Sequence, residues 1–284
     1  MQISGTTITP KGKKDDAVLA AEIIRLYESE ADLLTLPTTF FTSIARLIDA
    51  DVVAYAEFHH RTGDFRSLLS IDDDPVERAK GMEAFARHMH SHPFWQYDPA
   101  YYGERALRES DFFSDEAFFA LPIAQEVFLP SRAHRMISVV MQHDDYVVTV
   151  TGYRVLNRPR FSDEERDSLE AFRPHMLRSY RHAQERTLAK LTPLIRLSYA
   201  FPDLTPRQLE VASWLAEGKS NDDIATILSV GLDTVKAHVK EVHRKVGADS
   251  RLAAAVLAHT TPPFAQMPPL WKLDLDAWGA GKTA

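Results

Sequence analysis

The chain has 284 residues, enough for two domains with cores of their own. A formal net charge of -7 at pH 7 excludes a uniformly basic nucleic-acid coat, and the absence of cysteine excludes disulfides, thiol catalysis and cysteine metal sites. No signal peptide or membrane-length apolar run is visible, so the expectation is a cytoplasmic protein with no membrane partner.

Residues 1–16 are polar and contain Lys-Gly-Lys-Lys, which predicts a flexible leader. A sensor-like domain is expected over 17–185. Helices are predicted over 17–28 and 37–48, where Val18, Leu19, Ile23 and Leu26, then Phe40, Phe41, Ile44 and Ile48, recur at helical spacing. Residues 51–59 and 65–71 read as two strands joined by a turn at Gly63-Asp64. A helix is predicted over 76–88. Residues 90–130 are irregular and rich in aromatics, with helical pieces expected at 101–108 and 115–121. Strands follow at 135–141 and 146–154, then a helix from Ser162, its cap, to about Gln184. This order predicts an α+β domain, an antiparallel sheet flanked by helices.

Aromatics in broken structure suit a pocket for a small molecule, and Tyr55, Trp95, Tyr97, Tyr101, Tyr102 and Phe128 are its candidate lining. The same residues would equally form a core beneath long loops. His88, His90 and His92 alternate, a spacing that can ligate a metal on a strand, but they follow a helical stretch and precede Pro93, so surface histidines are the better reading. No nucleotide loop or nucleophile elbow is present. The expectation is therefore no enzyme, no cofactor and no metal.

Residues 186–203 are expected as the linker, although Leu188, Leu191, Leu194, Ile195 and Leu197 make it too apolar for a free tether. An all-α, four-helix unit is expected over 204–259. Thr205 and Gln208 form a capping box around Pro206, Ser220 caps a helix from Asn221 to about Leu228, and a third helix runs from Leu232 to Val246. A last helix begins after Ser250. Along the third helix, Val235, Val239, Val242 and Val246 form one seam, and Lys236, Ala237, Lys240, Arg244 and Lys245 fall away from it. Residues 205–258 hold seven basic and seven acidic side chains, so any contact with DNA must come from a local basic face. A tail over 260–284 carries Trp271, Leu273, Leu275 and Trp278 and is expected to dock rather than hang free.

This stretch resembles the LuxR/GerE-type helix-turn-helix domain. The matching residues include Leu204, Thr205, Arg207, Gly218, Asn221, Ile224, Ala225, Leu228, Thr234, Val235, Lys236, His238, Lys245, Arg251 and Ala254. The resemblance implies a transcriptional regulator whose third helix enters the major groove of double-stranded DNA, with Lys236, Ala237 and Lys240 facing the groove. With Arg244 and Lys245 from the helical spacing, and Asn221 and Thr234, these complete the candidate DNA-contacting set. The resemblance further implies a homodimer formed through the last helix, half-sites about one helical turn apart, and RNA polymerase as a partner. Three departures stand out. Gln208 replaces the usual Glu, which implies a hydrogen bond where an internal ion pair is expected. Gly231 replaces a capping Ser, and Asp249 stands where a cation occurs in some members. The segment from Ala133, with its closing hairpin, Arg-Pro-Arg-Phe-Ser-Asp-Glu-Glu turn and long helix, resembles the end of a GAF-like sensor domain. The alternative reading is a protein-binding module whose helical unit serves mainly assembly.

Overall fold

The computed structural model describes residues 12–71, 74–91, 94, 105–261 and 267–273. The chain divides into two compact units, Met1–Ala183 and Gln184–Ala284.

In the first unit, helices α1 (Gly12–Glu28) and α2 (Leu36–Ile48) precede a five-stranded antiparallel sheet. The strands are β1 (Val52–His59), β2 (Asp64–Leu69), β3 (Leu107–Arg108), β4 (Arg135–His143) and β5 (Tyr146–Arg154), in the order β2-β1-β5-β4-β3. Helix α3 (Pro75–His88) follows β2, and the short α4 (Asp115–Phe119) follows β3. The long α5 (Asp163–Ala189) follows β5 and continues past the division between the units. The helical piece expected at 101–108 is corrected at its end: Leu107 and Arg108 are extended and pair with Ser138 and Ile137. Pairing with a sheet edge overrode the local pattern there. The start of that piece lies outside the described residues.

Strand alternation gives the sheet two faces. Val53, Tyr55, Glu57 and His59 of β1 share one face with Val150, Val148 and Tyr146 of β5, and all are buried. Phe40 of α2 packs on Tyr55 there, and Tyr180 of α5 bonds to Glu57. Gly152 lets α2 sit close. A Cβ at that position would come within 2.6 Å of Ile48 Cδ1 and 3.2 Å of the Ala50 Cβ. On the opposite face, Met136 of β4 joins Phe94, Leu107, Phe118, Ile123 and Phe128 in a second core, with Tyr153 of β5 packed against it.

The second unit holds α6 (Pro193–Ala200), α7 (Pro206–Ala216), α8 (Asn221–Ile227), α9 (Leu232–Val246) and α10 (Arg251–Thr260). Their shared core is built from Leu197, Leu204, Leu209, Val211, Leu215, Ile224, Val235, Val242, Val246, Ala254 and Ala258. The stretch expected as a linker thus contains a helix, and Leu194, Leu197 and Phe201 enter this core. Beyond α10, Met267, Leu270 and Leu273 are buried, whereas Leu275 and Trp278 lie outside the described residues. Among the described residues no helix is long and apolar enough to cross a membrane.

Candidate DNA-reading surface and sensor core

Helices α6, α7, α8 and α10 each start at a hydroxyl side chain that accepts from a backbone N–H with no partner within the helix. The Thr205 hydroxyl accepts from the Gln208 N–H at 3.3 Å, and Gln208 Oε1 accepts from the Thr205 N–H at 3.0 Å. Ser220 and Asp223 make the same reciprocal pair at α8, with distances of 3.1 and 2.9 Å. Those Ser220 hydrogen bonds hold the Asp223 carboxyl below its ordinary range. At α9 the cap is Gly231, which offers no side chain. Gly247, at φ 70°, ends the helix in the left-handed region that glycine enters freely.

The valine seam fixes which way α9 turns. Val235, Val242 and Val246 are buried and Val239 is half-buried. Residues at spacings of four, seven and eleven from Asp233 lie opposite that seam, so Asp233, Ala237, Lys240 and Arg244 form the outer face, and all four are exposed. Lys236 and Thr234 flank it, also exposed. Two of the three outward cations are already engaged. Lys236 Nζ lies 3.3 Å from Asp233 Oδ1, and Arg244 donates to Glu241 Oε2 at 2.8 and 2.9 Å. Arg244 lowers the Glu241 carboxyl, and Glu241 in turn raises the Arg244 guanidinium. Lys240 makes no hydrogen bond or ion pair with any described residue.

Two residues of the expected DNA-contacting set are turned elsewhere. Lys245 is half-buried, and its Nζ donates to the Asp203 carbonyl at 2.7 Å and to Gln208 Oε1 at 2.8 Å. It is the partner of Gln208 in the internal contact and does not share the outer face. Asn221 Oδ1 accepts from Arg251 Nη1 at 3.3 Å, which ties the start of α8 to α10. Arg207 does similar work, donating to the Leu228 carbonyl at 2.8 Å. Asp233 is an outer-face residue that the sequence-derived set does not include. Its phase relative to the valines was the signal available.

On α10, Leu252 and Val256 are exposed at 75% and 51% and lie four residues apart. They form an apolar stripe on one side of the helix while Ala254 and Ala258 pack inward on the other.

In the first unit, the candidate pocket residues separate. Tyr55 is buried on the helix-covered face, where its hydroxyl donates to Glu57 Oε2 at 2.9 Å. Tyr180 donates to Glu57 Oε1 at 2.5 Å and Arg66 to Oε2 at 2.7 Å, so this buried carboxylate is fully engaged. Burial, and then the Glu57 charge, push the Tyr55 and Tyr180 hydroxyls well above their ordinary range. Phe128 lies on the other face, stacked on Phe118 and near Tyr153. Tyr55 therefore cannot line one cavity with Phe128. Trp95, Tyr97, Tyr101 and Tyr102 lie outside the described residues. The Phe128 face also carries a buried Ser138–Thr151 hydroxyl pair at 2.9 Å and Tyr153, whose hydroxyl burial pushes up to about 12. Beside it, the buried Glu109 accepts from the Met136 N–H at 2.8 Å, and burial raises its carboxyl. His88 lies 3.0 Å from Glu126, and His92 is outside the described residues.

Residues 202–258 match the family of bacterial regulatory proteins, luxR family. The chain is 44% identical over 57 residues to the nitrate/nitrite response regulator protein NarP of Escherichia coli (strain K12), covering 20% of this chain and 26% of that protein. It is 38% identical over 81 residues to the quorum sensing-dependent transcriptional regulator RpaR of Rhodopseudomonas palustris, covering 28% and 31%. A longer alignment reaches the regulatory protein SdiA of Escherichia coli (strain K12), 25% identical over 185 residues, 63% of this chain and 72% of SdiA. The crystal structure of SdiA covers 87% of this chain and 97% of its own at 19% identity, with a TM-score of 0.44. The chain thus spans under a third of the length of NarP and RpaR.

Proposed function

We propose, on the premise that residues 202–258 are a luxR-family helix-turn-helix domain, that this chain is a DNA-binding transcriptional regulator whose first unit senses a small molecule. The observation that carries the reading is the outer face of α9, a helix held by a valine seam with Ala237, Lys240 and Arg244 turned away from the core. A helix of this width fits the major groove, and its cations meet phosphates and base edges there. The exposed Leu252 and Val256 stripe supports a homodimer formed through α10, and hence a two-fold site with half-sites about one helical turn apart. RNA polymerase is the natural second partner of such a regulator. The sheet face with Phe128, Tyr153, Ser138 and Thr151 supports a ligand that is largely apolar and carries a few hydrogen-bonding groups.

The test uses the full chain. Duplexes enriched from a random library by the protein are compared by gel shift at two salt concentrations. Lys240→Ala is expected to weaken binding by roughly 5- to 150-fold, the range of about 1–3 kcal/mol for a specific contact. Lys236→Ala is expected to weaken it less, because that side chain already has a carboxylate partner. Unchanged binding by both variants overturns the placement of the reading helix. Native mass spectrometry of freshly purified protein tests the sensor reading through a retained small molecule, and the dimer through its mass.

A further inference from the structure

Asp233 stands at the head of the reading face. It shares that face with Ala237, Lys240 and Arg244, its side chain is 99% exposed, and its Oδ1 lies 3.3 Å from Lys236 Nζ. The N-terminal residues of a recognition helix are those that reach base edges, so a carboxylate here enters the most electronegative part of the interface. We infer that Asp233 is a specificity-determining residue that suppresses binding to generic duplex DNA by occupying Lys236 and by presenting an unpaired carboxylate whenever Lys236 leaves it for a phosphate. The inference rests on the DNA-reading function proposed above.

An exposed ion pair is weak, so Lys236 can exchange Asp233 for a phosphate at little cost. The carboxylate it leaves behind then faces a polyanion. In the major groove it finds a favourable partner only in an amino group, best the N4 of cytosine. A site with cytosine, or less well adenine, at that position restores a hydrogen bond, whereas guanine or thymine leaves the charge opposed. The setting strengthens this. Arg244 is held by Glu241 and the domain has equal numbers of acidic and basic side chains, so little sequence-independent attraction is present to mask the effect of Asp233.

The experiment measures affinity of the full-length protein for a random-sequence duplex across a salt series, by fluorescence anisotropy. The proteins compared are wild type, Asp233→Ala, Lys236→Ala and the double variant. Asp233→Ala is expected to bind the random duplex several-fold more tightly and with a steeper salt dependence. One freed cation adds about 0.9 to the slope, or about 3.5-fold between 50 and 200 mM salt. In the Lys236→Ala background the same substitution is expected to leave the slope unchanged. A selected site should lose preference over the random duplex when Asp233 is removed. Equal affinity and slope for wild type and Asp233→Ala overturn the inference alone. The same slope change in both backgrounds also overturns it, because the effect would then be bulk charge. Absence of binding by all four proteins at low salt overturns the DNA-reading function and the inference with it.

Discussion

Gln208 accepts two hydrogen bonds through one oxygen, from the Thr205 N–H at 3.0 Å and from Lys245 Nζ at 2.8 Å. It therefore caps α7 and fastens the last turn of α9 to it. Replacing a neutral acceptor by a charged one roughly doubles the strength of such a bond. Gln208→Glu is expected to stabilise the protein by about 0.5–1 kcal/mol near neutral pH, with the gain disappearing once the new carboxyl is protonated. Thermal melts at neutral and acid pH check both parts. The capping role of Gln208 was legible in the sequence, since Thr and Gln three apart before an apolar run form a known pair. The role of Lys245 was not. Spacing places it off the valine seam with the other cations, and only the packing of α7 beside α9 turns it inward. The same limit applied to Tyr55, whose aromatic ring reads equally well as pocket or core until the strand is assigned a face.

Arg154, at the end of β5, serves as a clamp between elements. Its buried guanidinium donates to the carbonyls of Ile48 at 2.6 Å and Asp49 at 3.1 Å, which end α2. It also donates to the carbonyls of Pro159 and Arg160, both at 3.3 Å, and pairs with Glu165 in the first turn of α5. The Phe161 ring lies 4.1 Å below it. Lysine has neither the fork nor the planar face for these contacts. Arg154→Lys is expected to cost about 2–4 kcal/mol, read as a lower denaturation midpoint with an unchanged slope. At this scale the sequence was most informative where period and turn chemistry agreed. The helix 232–246 and the hairpin 135–154 follow from alternation and caps, whereas Leu107–Arg108 became a strand only because β4 offered it an edge.

Across the molecule, stability against alkali should be limited by buried phenols. Tyr55 and Tyr180 lie well above the ordinary value and Tyr153 at about 12, so the folded state binds more protons than the unfolded chain once pH exceeds about 10. Their contribution is complete below that point and is lost as pH rises through the folded values. Tyrosinate absorbance is expected to appear for these residues together with loss of secondary structure, and early ionisation without unfolding would contradict the burial. Charge is also organised at this scale. The domain over 205–258 is neutral, so the remainder carries the whole net charge of -7, and under the proposed function approach to DNA depends on how the outer face of α9 is presented.

The placement of α6 has a practical outcome for anyone dissecting the chain. The match to the luxR family begins at residue 202, yet Leu194, Leu197 and Phe201 upstream of it fill the core beneath α7 and α10. A fragment trimmed to the recognisable boundary keeps every side chain of the reading face and uncovers an oily floor. The smallest cohesive piece is thus larger than the smallest familiar one, and aggregation of the shorter piece would report on the missing helix, not on the outer face of α9.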